Sequence, residues 1–315
     1  MAAAHPTSST LRVGTRASPL ALWQTRHFIS LLSPFCPILE ECQIRTTGDA
    51  VQNQRLADIG GKGLFAKEIH EALLDRRVDF AVHSLKDLET VLPEGIVLAC
   101  TLAREDARDG LILPPGHGPV DPANPYRALK QAAVVGTSSM RRQAQLLHAR
   151  PDLTIVLLRG NVASRLAKLE RGDCDATLLA LAGLRRLGMA HAASVVLDPD
   201  IMVPSAGQGI VGITVRESDS DLRDVLAKIG DEAASRAATA ERSLLGVLDG
   251  SCRTPIGGHA RVQGDGRMHL TGLVARGDGG FLLKRSVAGA PEDAERLGKE
   301  LGASLRADSP SDIFA

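Results

Sequence analysis

Val13-Gly14-Thr15-Arg16-Ala17-Ser18 and Val135-Gly136-Thr137-Ser138-Ser139-Met140 follow one local plan. Each comes after strand-like residues, turns at a glycine and runs into helix-like sequence. In the first, Ser18 is a good N-cap and Pro19 suits the first helical position, where its missing N–H has no bond to lose. Outward from these turns the echo continues. Gly63 opens a helix in which Phe65, Ile69 and Leu73 fall at i, i+4 and i+8, and the strand-like Val78-Asp79-Phe80-Ala81-Val82 follows. Gly160 opens another that carries Leu166 and Leu169, and Cys174-Asp175-Ala176-Thr177-Leu178-Leu179 follows. Strand, glycine turn, helix and strand in alternation predict parallel α/β units. Two such units predict two similar lobes with a cleft between them.

The chain has 315 residues, more than one hydrophobic core ordinarily organises, so two or three domains are expected. A Pro/Gly-rich loop at residues 113–125 separates the lobes, with the boundary near residues 104–112. After about residue 225 the character changes. Residues 232–248 are Ala-rich and helical. Strand-like segments at 262–268, 270–274 and 281–287, split by Gly-Asp-Gly turns, and a helix at 293–305 then predict a small α+β domain.

Composition excludes several classes. With 44% apolar and 23% charged residues the chain is globular in type. Its apolar stretches, such as residues 176–184, are too short to span a bilayer. Residues 1–10 have neither the basic flank nor the apolar core of a signal peptide, so a cytoplasmic protein without membrane partners is expected. Basic and acidic residues balance at 37 each, so any anion-binding surface must be local. One Trp, one Tyr and six Phe offer little to stack on bases, which counts against a nucleic-acid partner.

Cys36, Cys42, Cys100, Cys174 and Cys252 form no C-x-x-C, and no His cluster stands at zinc spacing, so neither a disulfide framework nor a metal site is expected. Cys100 and Cys174 read as buried small hydrophobes. Cys252 lies in Asp249-Gly250-Ser251-Cys252-Arg253-Thr254-Pro255-Ile256-Gly257-Gly258, a loop that leaves a thiol accessible beside a cation. On this loop alone, structural and reactive roles stand equal.

Basic residues gather at element junctions: Arg16, Lys62, Lys86, Arg141, Arg142, Arg159 and Arg165. With helix N-termini and the hydroxyls of Thr137, Ser138 and Ser139, they suit carboxylate or phosphate ligands. Any one arginine reads as a solvated helix face; the set, at the strand ends where open α/β sheets bind ligands, reads as an anion site. Gly60-Gly61-Lys62-Gly63 lacks P-loop spacing, and no G-x-G-x-x-G follows a strand. Residues 48–63 read as a mobile loop. Asp87, ending Val82-His83-Ser84-Leu85-Lys86-Asp87, reads equally as an acid/base or cation-stabilising group and as a cap or partner of Lys86. His83 reads as a base or, more readily, as a packed or backbone-bonded histidine.

Taken in order, Thr15-Arg16-Ala17-Ser18-Pro19-Leu20-Ala21, Gly61-Lys62-Gly63-Leu64-Phe65, Val82-His83-Ser84-Leu85-Lys86-Asp87, Gly136-Thr137-Ser138-Ser139-Met140-Arg141-Arg142-Gln143, Leu158-Arg159-Gly160-Asn161-Val162 and Gly207-Gln208-Gly209 resemble the signatures of the porphobilinogen deaminase family. The resemblance implies two periplasmic-binding-protein-like, doubly wound α/β lobes plus a small α+β C-terminal domain. Lobe 1 would span 11–105 with a returning segment 205–226, lobe 2 110–204, and the third domain 230–315. It implies a transferase that adds four porphobilinogen molecules, with loss of ammonia, to a dipyrromethane cofactor in thioether linkage to Cys252, and then releases hydroxymethylbilane. By the same resemblance Asp87 is catalytic. Arg16, Ser18, Ser84, Lys86, Thr137, Ser139, Arg141, Arg142, Arg159, Arg165 and Arg186 hold carboxylates of cofactor and substrate, and Lys62 belongs to a lid. A monomer is expected. Three places depart from the pattern: Glu89 stands where many relatives have proline, Asp58 where some have lysine, and residues 1–10 have no counterpart. A non-catalytic solute-binding protein is the rival on this fold; it predicts an export signal and needs no reactive cysteine.

Overall fold

The computed structural model describes residues 10–36, 38–50, 63–248 and 254–314. Strand β1 (Leu11–Thr15) buries Val13 and Thr15 completely and leads to helix α1 (Pro19–Leu32). The helix begins where Ser18 Oγ accepts the Ala21 N–H at 3.3 Å, which satisfies an amide that has no partner within the helix. Then come β2 (Leu39–Gln43), the short α2 (Thr47–Ala50), α3 (Lys67–Leu74), β3 (Phe80–Ser84) and β4 (Ile96–Thr101). A second series follows: β5 (Asp109–Ile112), β6 (Val134–Gly136), α4 (Met140–Ala149), β7 (Thr154–Val156), α5 (Val162–Glu170), β8 (Ala176–Ala180), α6 (Leu181–Arg186) and β9 (Val195–Val196). The chain then turns back to the first series with β10 (Val211–Arg216) and α7 (Ser220–Leu226).

Two sheets result, and they share a plan. The first runs β2-β1-β3-β10-β4 and the second β7-β6-β8-β5-β9. In each, three strands pair in parallel, and one strand (β10 or β5) enters antiparallel between the third strand and the last. These are two α/β lobes of one topology. Strands β1 and β6 hold equivalent places, so the two glycine turns that echo in sequence leave equivalent strand ends. Every residue of β10 is buried, and its Ile213 and Val215 share one core with Val13, Phe28 and Phe80. The return passes through Gly209, whose φ is +89° and whose Cβ, if present, would lie 2.2 Å from Glu105 O. Only glycine fits there.

The third unit packs α8 (Glu232–Val247) and α9 (Ala294–Ala307) on an antiparallel sheet of β11 (Ile256–Val262), β12 (Met268–Ala275) and β13 (Leu282–Gly289). Leu244, Leu270, Val274, Leu301 and Leu305 fill its core. Glu241 joins this unit to the lobes. Fully buried, it accepts both terminal nitrogens of Arg104, at 2.6 and 3.2 Å, and the amides of Gly207 and Ala260, each at 2.6 Å.

Two local expectations are corrected. The segment 262–268 is not a strand: it holds the hairpin turn, closed by Gln263 N–H to Arg267 O at 3.0 Å, with Gly266 at φ +76°. The strand lies upstream, where a Cβ on Gly257 would fall 2.9 Å from Val203 and one on Gly258 3.1 Å from Leu244. The helix after Gly63 starts only at Lys67, so Phe65 lies in the preceding turn and not on a helical stripe.

Candidate active site

The ends of β1 and β3 open on one depression, lined among others by Arg16, Ser18, Gln24, Phe65, Ser84 and Asp87. Arg16 leaves β1 and pairs with Asp49, its Nε 2.9 Å from Oδ2, while its guanidinium carbon lies 4.1 Å from the Phe65 ring centroid. Burial pushes the Asp49 carboxyl up, but the Arg16 bond and charge outweigh it and hold Asp49 below its ordinary value. Gln24, 2% exposed, donates to Ser84 Oγ at 2.9 Å and accepts from it at 3.1 Å, so that hydroxyl is occupied.

Past Ser84 the chain makes a 3₁₀ turn, Leu85–Asp87, that lifts Lys86 and Asp87 from the sheet. Among the described residues the Asp87 carboxylate has no hydrogen bond and no ion pair. The alternatives of a cap or a Lys86 salt bridge are therefore not what forms. Lys86 Nζ instead donates to Gln208 Oε1 at 3.2 Å. Burial pushes the Lys86 ammonium down to about 8, with Asp87 favouring its charge and Arg142 opposing it.

Gln208 leads to a buried charge cluster. Its amide nitrogen donates to Asp109 Oδ1 at 2.8 Å and to Ala107 O at 2.6 Å. Asp109 also accepts Arg141 Nη2 at 2.7 Å and Arg142 Nη2 at 2.8 Å. Arg141 reaches on to Val203 O at 2.5 Å, and Arg142 to Leu178 O at 2.8 Å. Burial opposes ionisation of Asp109, yet the two arginines keep it far below the usual carboxylate range. A buried ion needs such partners, because leaving water costs several kcal/mol per charge (~3–5 when one partner is removed).

The second lobe supplies the facing rim. Thr137 Oγ1 accepts the Ser139 N–H at 3.1 Å, and Ser139 Oγ caps α4 by accepting the Arg142 N–H at 3.4 Å. Each hydroxyl thus keeps its own O–H for another acceptor. Arg159 is buried and its Nη2 crosses to Gly48 O of the first lobe at 3.2 Å. Arg165 gives Nε to Gly160 O at 2.8 Å, and its terminal nitrogens bond no described residue. Burial and then Arg142 push Arg165 down to about 10, while Asp87 favours its charge across the cleft. Arg186 donates to Gly209 O at 2.7 Å and lies 5.6 Å above Trp23.

Behind β3, His83 Nε2 is 3.0 Å from Thr214 Oγ1, and burial pushes this imidazole down to about 3. It is a packed, neutral histidine. Its neighbour His70, ring to ring at 5.3 Å, is pushed to about 4 by burial. Glu89, the departure after Asp87, faces His70 at 3.9 Å and covers Gly63, where a Cβ would fall 1.9 Å from its carboxylate.

Residues 11–224 match the family described as "Porphobilinogen deaminase, dipyromethane cofactor binding domain", and residues 235–307 match "Porphobilinogen deaminase, C-terminal domain". The chain belongs to the porphobilinogen deaminase family. A porphobilinogen deaminase of Syntrophotalea carbinolica is 44% identical over 98% of this chain and 96% of its own. That of Nitrobacter winogradskyi is 46% identical over 96% and 94%, and the chloroplastic one of Oryza sativa 44% identical over 97% and 86%. Among solved structures, the probable amino-acid ABC transporter extracellular-binding protein ytmK of Bacillus subtilis covers 76% of this chain and 97% of its own, at 12% identity and TM-score 0.42.

Of the residues that the family pattern singles out, Arg16, Ser18, Ser84 and Asp87 line one depression. Lys86, Thr137, Ser139, Arg159 and Arg165 stand on the neighbouring strand ends and helix starts, and Arg186 ends α6. Arg141 and Arg142 are held inside the protein. The carboxylate they meet is the chain's own Asp109, because two nearly fully buried guanidiniums need an internal counter-charge. Cys252, Lys62 and Asp58 lie outside the described residues. Sequence reading missed three groups: Asp109, Gln208 as a bonded group, and Phe65 as a site residue. Asp109 carried a signal, a lone acid opening the apolar run Gly110-Leu111-Ile112-Leu113. Among the described residues no cluster of His, Cys, Asp or Glu could hold a metal, and no helix is long and apolar enough to cross a membrane.

Proposed function

We propose that this porphobilinogen deaminase divides its cleft into an anion-holding rim and one cation-stabilising carboxylate, Asp87. The observation that carries this is a local imbalance. Lys86 and Arg165 are both pushed down, to about 8 and about 10, at the edge of the same cleft, and both keep N–H groups unbonded to described residues. Burial is the first cause of both shifts, so a ligand of opposite charge would be held there, and the acetate and propionate groups of pyrroles would supply one. The residues therefore fit the dipyrromethane for which the family's domain is named. When bound, that group offers the pyrrole carbon to which new units are joined, and the Cys252 thiol would hold it in thioether linkage.

Lys86 and Arg165 would take carboxylates directly, as would the free O–H groups of Ser18, Thr137 and Ser139. Arg16, Arg159 and Arg186 would do so by exchanging internal acceptors for ligand ones; Ser84 would have to release Gln24, and Lys62 would act from the lid. Arg141 and Arg142 would brace the rim through Asp109. Loss of ammonia from porphobilinogen leaves positive charge on its pyrrole, and a fixed carboxylate that no described residue bonds is placed to stabilise it. The division into 11–105 with 205–226, 110–204 and 230–315, a monomeric state and a cytoplasmic location complete the reading. Incubation with porphobilinogen tests it. Intact mass should rise in steps of one deaminated unit, up to four, with ammonia released at each. A protein of unchanged mass that releases no ammonia overturns it.

A further inference from the structure

Gln208 lies between the two most consequential charges of the cleft floor, and its amide has only one workable orientation. Both N–H groups are taken, by Asp109 Oδ1 and Ala107 O, so Oε1 must face Lys86. The flipped amide would set its oxygen against two acceptors and its NH₂ against an ammonium. The side chain is 1% exposed, and its backbone is fixed on both sides. Gly207 N–H is held by Glu241, and Gly209 O accepts both Arg186 and the Glu105 amide. A Cβ on Gly207 would stand 3.0 Å from the Lys86 amide nitrogen, so this loop packs directly on the turn that carries Asp87.

We infer that Gln208 is a positioning residue: it takes one of the three Lys86 N–H groups, turns the other two to the cleft, and couples Lys86 to the Asp109 cluster of the second lobe. The inference rests on the reading of Lys86 as a carboxylate-binding group. The charged groups that face Lys86 are Asp87 on its own turn, Asp109 on β5, and Arg141 and Arg142 on α4. Among these, Gln208 Oε1 is the acceptor in contact with the ammonium. Without it the charged form loses a bond and the amine titrates lower.

Gln208→Met keeps volume and removes the acceptor. Competitive acetylation of the Lys86 amine across pH, read by mass spectrometry, should then show its titration lowered by ~0.5 pH unit or more. The alkaline limb of kcat/KM should move the same way, and KM for porphobilinogen should rise ~3-fold or more. Gln208→Glu, which faces the amine with a carboxylate, should move the titration up. In a Lys86→Arg background neither substitution should move the limb, since guanidinium does not titrate there. A Lys86 titration unmoved in both Gln208 variants overturns the inference. If instead Lys86→Met itself leaves KM unchanged, the carboxylate-binding reading of Lys86 fails, whatever the Gln208 variants do to its titration.

Discussion

Asp109 meets Arg142 across 2.8 Å with the two side chains 0% and 6% exposed. The bond lies under the helix start where the family pattern places ligand-holding arginines, so loss of this arginine acts first on the fold. Arg142→Leu should destabilise the protein by ~3 kcal/mol, the usual cost of stranding one partner of a buried pair. Denaturant unfolding measures it, and an unshifted midpoint would return Arg142 to a purely ligand-binding role. Because Asp109 is held below its unfolded value, the stability it confers is complete above about pH 4 and lost only as pH falls through the folded value.

Asp87→Asn should behave differently. No described residue bonds or pairs with this carboxylate, so the variant should fold with a near-normal melting temperature. Asparagine keeps the shape and removes the charge. Single-turnover elongation, followed by intact mass, should slow ~100-fold or more, while Asp87→Glu retains part of the rate. Near-normal elongation by Asp87→Asn would leave the developing cation to some other group.

Cys252→Ala should show the bare chain mass and no activity. The same change at Cys36, Cys100 or Cys174 should leave a pyrrolic adduct in place. Those three thiols are buried, and burial pushes each upward, that of Cys100 to about 12, which leaves them poor nucleophiles. A peptide digest that maps the adduct to any of them contradicts the assignment.

Acid should weaken the protein before its carboxylates titrate. His70 and His83 stay neutral in the fold, pushed by burial to about 4 and about 3, but take up protons when unfolded near pH 6.5. Their folded values are depressed, so their contribution is complete above pH 6.5 and is lost as pH falls toward 4. Each should add a slope of ~1.4 kcal/mol per pH unit across that window. His70→Leu should flatten the dependence of unfolding free energy on pH. An unchanged slope would mean that His70 is protonated in the fold.

The two-lobe plan was legible because glycine turns and N-caps are local: Ser18 before Pro19, and the turn at Gly160, announce their helices within a few residues. The small sheet was legible in kind but not in register, since Gly257 and Gly258 read as turn residues and act as close-packing strand residues. Within the site, the basic residues could be recognised by type, but their partners could not. Asp109 pairs with Arg141 and Arg142 over more than thirty positions, and Lys86 meets Gln208 at a separation of 122. Such contacts depend on how the chain returns after the second lobe, and no local spacing records that.

That return also orders events on the ribosome. In the first sheet β10 lies between β3 and β4, so β4 has no neighbour until residues 211–216 have been made. The first lobe to emerge is therefore the last of the two to close. A nascent chain stalled after residue 204 would hold a complete second sheet beside an open first one, with one edge of β3 and both edges of β4 bare of backbone partners. For this chain, synthesis must run through the second lobe before the strand end at Ser84 acquires its final neighbour, Val211.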